Sequence, residues 1–251
     1  ASDVYKRQQL IGNDGYTKST ILYNTGKNDN GWATSFLLTK WAGDGYIYNT
    51  SGEGLTYFAA VGYAPDDSNH SVNLSVLGAG QWHHQRDVWV SIRDYQNFGD
   101  SGIDRRWNSN GGTRDGKEFS MRRNFYNKPL ATFNWDWKVS NNIEVNTSLY
   151  ASAGRGGGTG PMNTRDTFMG DDGVDDYYKY FNPAEMSDGS GTIDWTQVIA
   201  NNQQWSSGSD FDTTYSDDMR RSKRIIRASV NHHDWTGVLS TYNLSLIHIS
   251  E

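Results

Sequence analysis

Hydrophobic and polar residues alternate with a period of two along much of the chain, most clearly over residues 130–139. Ala131, Phe133, Trp135, Trp137 and Val139 fall on one side, and Leu130, Thr132, Asn134, Asp136 and Lys138 on the other. A strand sends successive side chains to opposite faces, whereas a helix would mix the two sets, so the pattern predicts a strand. Residues 143–151 repeat it, with Ile143, Val145, Thr147, Leu149 and Ala151 opposed to Glu144, Asn146, Ser148 and Tyr150. Only Ser140-Asn141-Asn142 lies between, which predicts a hairpin. Similar pairs are predicted at 17–25 with 31–41, 57–64 with 71–78, and 224–231 with 237–244. Their links are the turn-forming stretches 26–30, 65–69 and 232–236. About eight strands in four hairpins are expected.

The remaining connections, 42–55, 80–128 and 154–222, are long and rich in glycine, polar and aromatic residues. Loops beyond about 12–15 residues are uncommon inside compact domains. Here they alternate with tight turns, and short turns at one end with long loops at the other is the layout of an outer-membrane barrel. Ten residues at about 3.3 Å each, tilted by about 45°, span roughly 23 Å, close to the apolar band of such a barrel. Trp32 and Trp41 at opposite ends of one strand, Tyr63 near a turn and Trp235 in another stand where aromatic girdles are expected. A soluble β-sandwich has the same alternation, with its apolar faces packed on each other; the loop asymmetry favours the barrel.

Composition narrows the classes. Of 251 residues only 35% are hydrophobic, yet 14% are aromatic, with Trp 10 and Tyr 15. That is far too aromatic for a disordered acidic chain. The mean hydropathy of −0.78 and the lack of a long apolar run exclude membrane-spanning helices, though not spanning strands. Cys 0 removes disulfides, thiolate metal sites and cysteine nucleophiles. A net charge of −6 without a basic stretch argues against nucleic-acid partners. The first residues, 1–8, and the last, 244–251, resemble translated adapter read-through at the edges of metagenomic gene fragments. Both are expected to be non-native, leaving 9–243 as a partial β-barrel domain.

The chemical candidates are few. The run 154–160 is glycine-rich but lacks the Lys-Ser/Thr ending of a P-loop, and it reads as a flexible passage from strand to loop that exposes Arg155. Trp82, His83 and Arg86 are expected just past a strand, at the start of the second long loop. His83 and His84 are adjacent and would point to opposite sides, as would His232 and His233, so neither pair chelates one metal. Asp171, Asp172, Asp175 and Asp176 surround a glycine and form a calcium candidate, although the EF-hand spacing is missing. They also lack any feature fixing the separation a glycosidase pair needs, so no enzymatic role is assigned. Loop aromatics, among them Trp107, Tyr178 and Trp195, either stack on a ligand or pack the loops. The ligand-binding candidates are thus Trp82, His83, Arg86, Trp107, Arg155, Tyr178 and Trp195; no cofactor or catalytic residue is expected.

The succession of Gly31-Trp32, Trp41 with Gly43-Asp44-Gly45-Tyr46, Thr56-Tyr57-Phe58 and Gly62-Tyr63-Ala64-Pro65 resembles the barrel of a TonB-dependent outer-membrane receptor. The resemblance is to the Bacteroidetes type with a carboxypeptidase-regulatory-like N-terminal module. It continues through residues 78–86, Tyr150-Ala151-Ser152, 154–160, Ile193-Asp194-Trp195 and 227–231, covering most of residues 12–243. Such a receptor is a large, plugged barrel. The resemblance implies import of a scarce solute, such as a siderophore or oligosaccharide, across the outer membrane, driven through a TonB-type partner that engages the receptor's N-terminal region. Eight strands cannot close such a barrel, so the expected fold is an all-β, antiparallel, up-and-down, curved open wall. Its turns near Asn28, Asp67, Asn141 and Asp234 would be periplasmic, its long loops extracellular, and Asn134, Asp136, Lys138, Glu144 and Asn146 would line the lumen. The alternative is a secreted, soluble β-rich carbohydrate-binding or hydrolytic module.

Overall fold

Alternation of this length leaves little choice but sheet, and the computed structural model is all-β, built on one nine-stranded antiparallel sheet. It describes residues 4–86, 92–97, 104–161, 192–204 and 226–245. Seven strands run in turn: β1 (Val4–Ile11), β2 (Thr17–Asn24), β3 (Trp32–Gly43), β4 (Gly52–Tyr63), β5 (His70–His84), β9 (Leu130–Ser140) and β10 (Ile143–Pro161). The eighth, β12 (Ile226–Leu244), closes the order, and β8 (Arg123–Asn127) lies end to end with β9 between β5 and β10. Nine strands therefore fill eight lanes. Pro129, which has no N–H to give a ladder, stands at the break between β8 and β9. In the described residues β1 and β12 are unpaired edges, so the sheet is open.

Three of the four predicted hairpins form, and the fourth does not. Residues 232–236, read as a turn, continue through the middle of β12, where His232 pairs with Arg155 and Trp235 with Ser152. The polar stretch stays extended because β10 offers it an unbroken ladder, and Tyr150 and His233 lie over the cross-strand glycines Gly237 and Gly154. Asp234 is consequently not at the short-turn end, and Trp235 is not in a girdle. Val4–Ile11, which begins within the segment 1–8 expected to be non-native, pairs along its length with β2 through a turn at Asn13-Asp14-Gly15. Asp14 (φ 54) and Gly15 (φ 67) take the left-handed conformation that such a tight turn requires.

Cross-strand pairing assigns every strand residue to one of two faces. One face collects Phe36, Val61, Leu74, Val76, Phe133, Leu149 and Val238; the other collects Thr20, Thr39, Asn73, Ser75 and Thr132. Asn134, Asp136, Lys138, Glu144 and Asn146 share this polar face, tied by bonds such as Ser148 Oγ to Asn134 Oδ1 at 2.6 Å. In the middle of β5 the exposure is inverted relative to a water-soluble sheet. Ser75 is 9% exposed and bonded to Thr132 at 2.6 Å, while its neighbours Leu74 and Val76 are 49% and 39% exposed. At the short-turn end the apolar face carries Trp32 against Tyr63, with ring centroids 4.6 Å apart, and His70 stacked with Trp135 and Trp137. Trp41, expected in the opposite girdle, lies on the polar face across Gly54.

The well-buried apolar residues sit off the wall, at its loop end. There β6 (Gly111–Arg114) and β7 (Lys117–Ser120) form a hairpin, and β11 (Ile193–Asp194) adds to β6 in parallel. Helix α2 (Trp195–Gln204) follows directly, capped by Asp194 Oδ1, which accepts from Gln197 N at 3.0 Å. Met121, Ile193, Trp195 and Val198 pack together with Phe119 at their edge. A second, short helix, α1 (Ile92–Asn97), brings Tyr95 edge-on to Trp107.

Candidate functional site

The loop end is built by residues that reach between turns. Arg106 donates to Tyr46 O at 2.7 Å and to Asp14 Oδ1 at 2.9 Å, and its guanidinium stands over the rings of Tyr46 and Tyr48. One side chain thus joins the β1–β2 turn, the β3–β4 loop and the segment that follows α1. Asn108 donates to the carbonyls of Tyr48 and Asn49, and Asn110 to that of Gln85. We expect Arg106→Ala to raise amide exchange at Asp44 and Tyr48, which donate to Asp14 O and Arg106 O, by about tenfold, equivalent to about 1.4 kcal/mol. Exchange at mid-strand amides of β9 should be unchanged.

Among the described residues, concavities open on both faces at this end. The larger, about 870 Å³, opens on the apolar face above its hydrophobic rows and is lined by Lys40, Glu53, Leu55, Trp82, Arg123, Phe125, Arg155, Val230 and His232 among others. Trp82 is held there by Glu53 Oε1, which accepts from its indole N–H at 2.9 Å, and by the Arg123 guanidinium 4.2 Å from its ring centroid. Arg155 bonds Asp234 Oδ1 at 3.0 Å and also donates to the carbonyls of Gly154 and His233. The smaller, about 310 Å³, is lined by Asp14, Tyr16, Trp41, Tyr46, His83 and His84 among others.

The sequence-predicted residues are therefore dispersed. Trp82 and Arg155 share the apolar-face cavity. His83 belongs to the other one, on the polar face beside Gly52. Arg86 donates to Arg105 O at 2.8 Å and stands over Tyr95, while Trp107 is 2% exposed, so these two pack the loop. Trp195, 4% exposed, belongs to the small core. Tyr178 and the calcium candidates Asp171, Asp172, Asp175 and Asp176 lie outside the described residues. Two expectations change. Residues 81–84 do not begin a loop; they pair with residues 123–126, so β5 runs on to His84. The glycine run 154–160 is not a flexible passage but part of β10, gripped between β8 and β12. A Cβ at Gly156 would meet Tyr126 Cβ at 2.8 Å, so glycine there serves close approach of strands.

Lys40, Glu53, Arg123 and Asp14 were not singled out from the sequence. Their signal was positional: each stands within three residues of the loop end of a strand or in the adjoining turn, which becomes visible only once register is known. His84 lies at the same end, beyond the hydrophobic rows, with Nδ1 3.3 Å from Glu118 Oε1. Burial lowers its pKa from the ordinary value, and the nearby Arg123 and His83 add to this, while the Glu118 bond and charge oppose it. With the folded value depressed, the unfolded chain binds the proton first as pH falls. Stability from this site is present above about pH 6.5 and is lost below it. A denaturant midpoint followed from about pH 7.5 to 5.5 should fall, and His84→Gln should flatten that part of the dependence.

The class defined by pairing and register is an antiparallel, meandering all-β wall with a small α/β cap at its loop end. Comparison with protein-family models, with curated proteins and with solved structures gives no match.

Proposed function

We propose that the chain is a stretch of wall of a TonB-dependent outer-membrane transporter that imports a scarce solute and performs no chemistry on it. The observation that carries this reading is the inverted exposure in the middle of β5: Leu74 and Val76 are exposed while Ser75 between them is buried and hydrogen-bonded. In water an apolar surface of this extent is a liability, whereas against lipid it is the stabilising surface. The short-turn end, with Trp32, Tyr63, Trp135 and Trp137, would sit at the periplasmic interface, where amphipathic rings are favoured. The capped end would face the exterior, with the cavity around Trp41, His83 and Tyr46 opening on the solute side. Energy would come through a TonB-type partner, as the family resemblance implies.

Flotation tests the reading. The full chain, refolded with phosphatidylcholine vesicles, should float with them and migrate differently on a gel before and after heating. Recovery of folded chain from the dense, lipid-free fraction would instead favour a secreted, soluble β-rich binding or hydrolytic module.

A further inference from the structure

The cavity around Trp82 stands on the wrong face for a transported solute. It opens on the apolar face, where the hydrophobic rows end. Along β10 that face runs Val145, Thr147, Leu149, Ala151, Ala153 and then Arg155; along β3 it runs Trp32, Thr34, Phe36, Leu38 and then Lys40. From Val145 to Arg155 is about 33 Å of strand, or about 25 Å of thickness at a tilt near 40°, which is the height of a barrel's apolar band. Arg155 and Lys40 therefore lie at headgroup level. Across the strands between them the floor is Leu55, Gly80 and Asn127, overlooked by Trp82, Phe125 and Arg123.

The charges of this cavity are not balanced internally. Glu53 keeps its charge, because the Trp82 indole N–H it accepts from is neutral, and Asp234 answers Arg155, so the three cations Lys40, Arg123 and Arg155 exceed these two carboxylates by one. Among the described residues no carboxylate bridges Lys40 or Arg123. Arg123 is held over Trp82, and among the described residues no side-chain hydrogen bond takes up its guanidinium, whose fork suits a planar or tetrahedral oxyanion. A cationic pocket that opens at its lower edge onto a hydrophobic surface suits one kind of ligand, an amphiphile whose head is anionic and whose tails are hydrocarbon.

We propose that this groove seats the phosphate-bearing headgroup of an outer-leaflet lipid, with Lys40, Arg123 and Arg155 on the phosphate and the acyl chains running down over the rows of Leu38 and Tyr57. The assignment rests on the membrane reading of the apolar face. It makes the groove a lipid site on the outside of the wall, distinct from any site on the solute path.

The test uses the full chain in phosphatidylcholine vesicles doped with diphosphoryl lipid A, extracted in mild detergent, with retained lipid A measured by mass spectrometry. Wild type should retain it, and excess inorganic phosphate should not displace it. Lys40→Gln/Arg123→Gln/Arg155→Gln should retain about tenfold less. Lys6→Gln/Lys18→Gln/Lys138→Gln, which removes equal charge from the polar face, should retain as much as wild type. Equal loss in both triple variants would overturn the proposal in favour of bulk charge, and displacement by inorganic phosphate would overturn it in favour of a soluble-anion site. A wild-type chain that floats with vesicles but does not retain lipid A would sink this proposal and leave the transporter reading standing. Failure to float would remove both. The phosphate-competition and retention arms need no variant, so a triple variant that misfolds does not shield the proposal.

Discussion

Leu74→Arg should destabilise the vesicle-reconstituted chain by about 2–4 kcal/mol, the cost of a cation on the lipid face near the bilayer midplane. Leu74 lies in the middle of the hydrophobic rows, with Val61 and Phe133 as its cross-strand neighbours, and is 49% exposed. That exposure makes the substitution diagnostic. If water covered this face, a half-exposed leucine replaced by arginine would change stability by no more than about 0.5 kcal/mol. Thr241→Arg, on the polar face of β12 and also exposed, should be nearly neutral. Equilibrium urea unfolding of both variants in vesicles checks the difference.

Gly112→Val should unfold the cap while leaving the wall intact. Gly112 pairs in parallel with Ile193, and a Cβ there would overlap the Ile193 carbonyl and meet its backbone N at 2.6 Å. Backbone cannot swing aside as a side chain can, so β11 must leave β6, taking with it Ile193, Trp195 and Val198 from the small core. Loss of that packing should cost about 2–4 kcal/mol. Limited proteolysis should then cut within residues 192–204 at protease levels that spare the wild type. Gly116→Ala is the useful contrast, because nothing lies within 4 Å of a Cβ there and only its φ of 73° resists; about 1 kcal/mol is expected.

The wall was legible because period-two alternation is a direct imprint of two unlike faces, as at 130–139 and 143–151. It failed where composition competed with pairing. The stretch His232-His233-Asp234-Trp235-Thr236 has turn chemistry, but an extended β10 beside it decides its conformation. The glycines of 154–160 likewise signal a loop by composition and serve a tightly packed strand in fact. Two hairpins passed over carry the strongest short signal available, Asp-Gly at Asp14-Gly15 and at Asp115-Gly116. The first adjoins the segment 1–8 that resembles adapter read-through, and the second lies inside 80–128, whose composition reads as one loop.

The candidate site was less legible than the fold. Alternation separates Trp82 from His83 onto opposite faces, but which far residues join Trp82 depends on the register of β3, β8 and β10. Lys40, Arg123 and Arg155 are distant in sequence and share one cavity only through that register. Arg86, Trp107 and Trp195 show the reverse case: conspicuous in the sequence, they are absorbed by packing.

The central claim, that the apolar face meets lipid, is tested most directly by spin-label accessibility along β5. The chain has Cys 0, so single cysteines can be placed at each position from Ser71 to Leu77 without removing any native thiol. In vesicles, labels at positions 72, 74 and 76 should be relaxed by dissolved oxygen and shielded from a water-soluble nickel chelate, with the reverse at 71, 73 and 77. Collision with the nickel chelate at 74 and 76 as strong as at 73 and 77 would contradict the account.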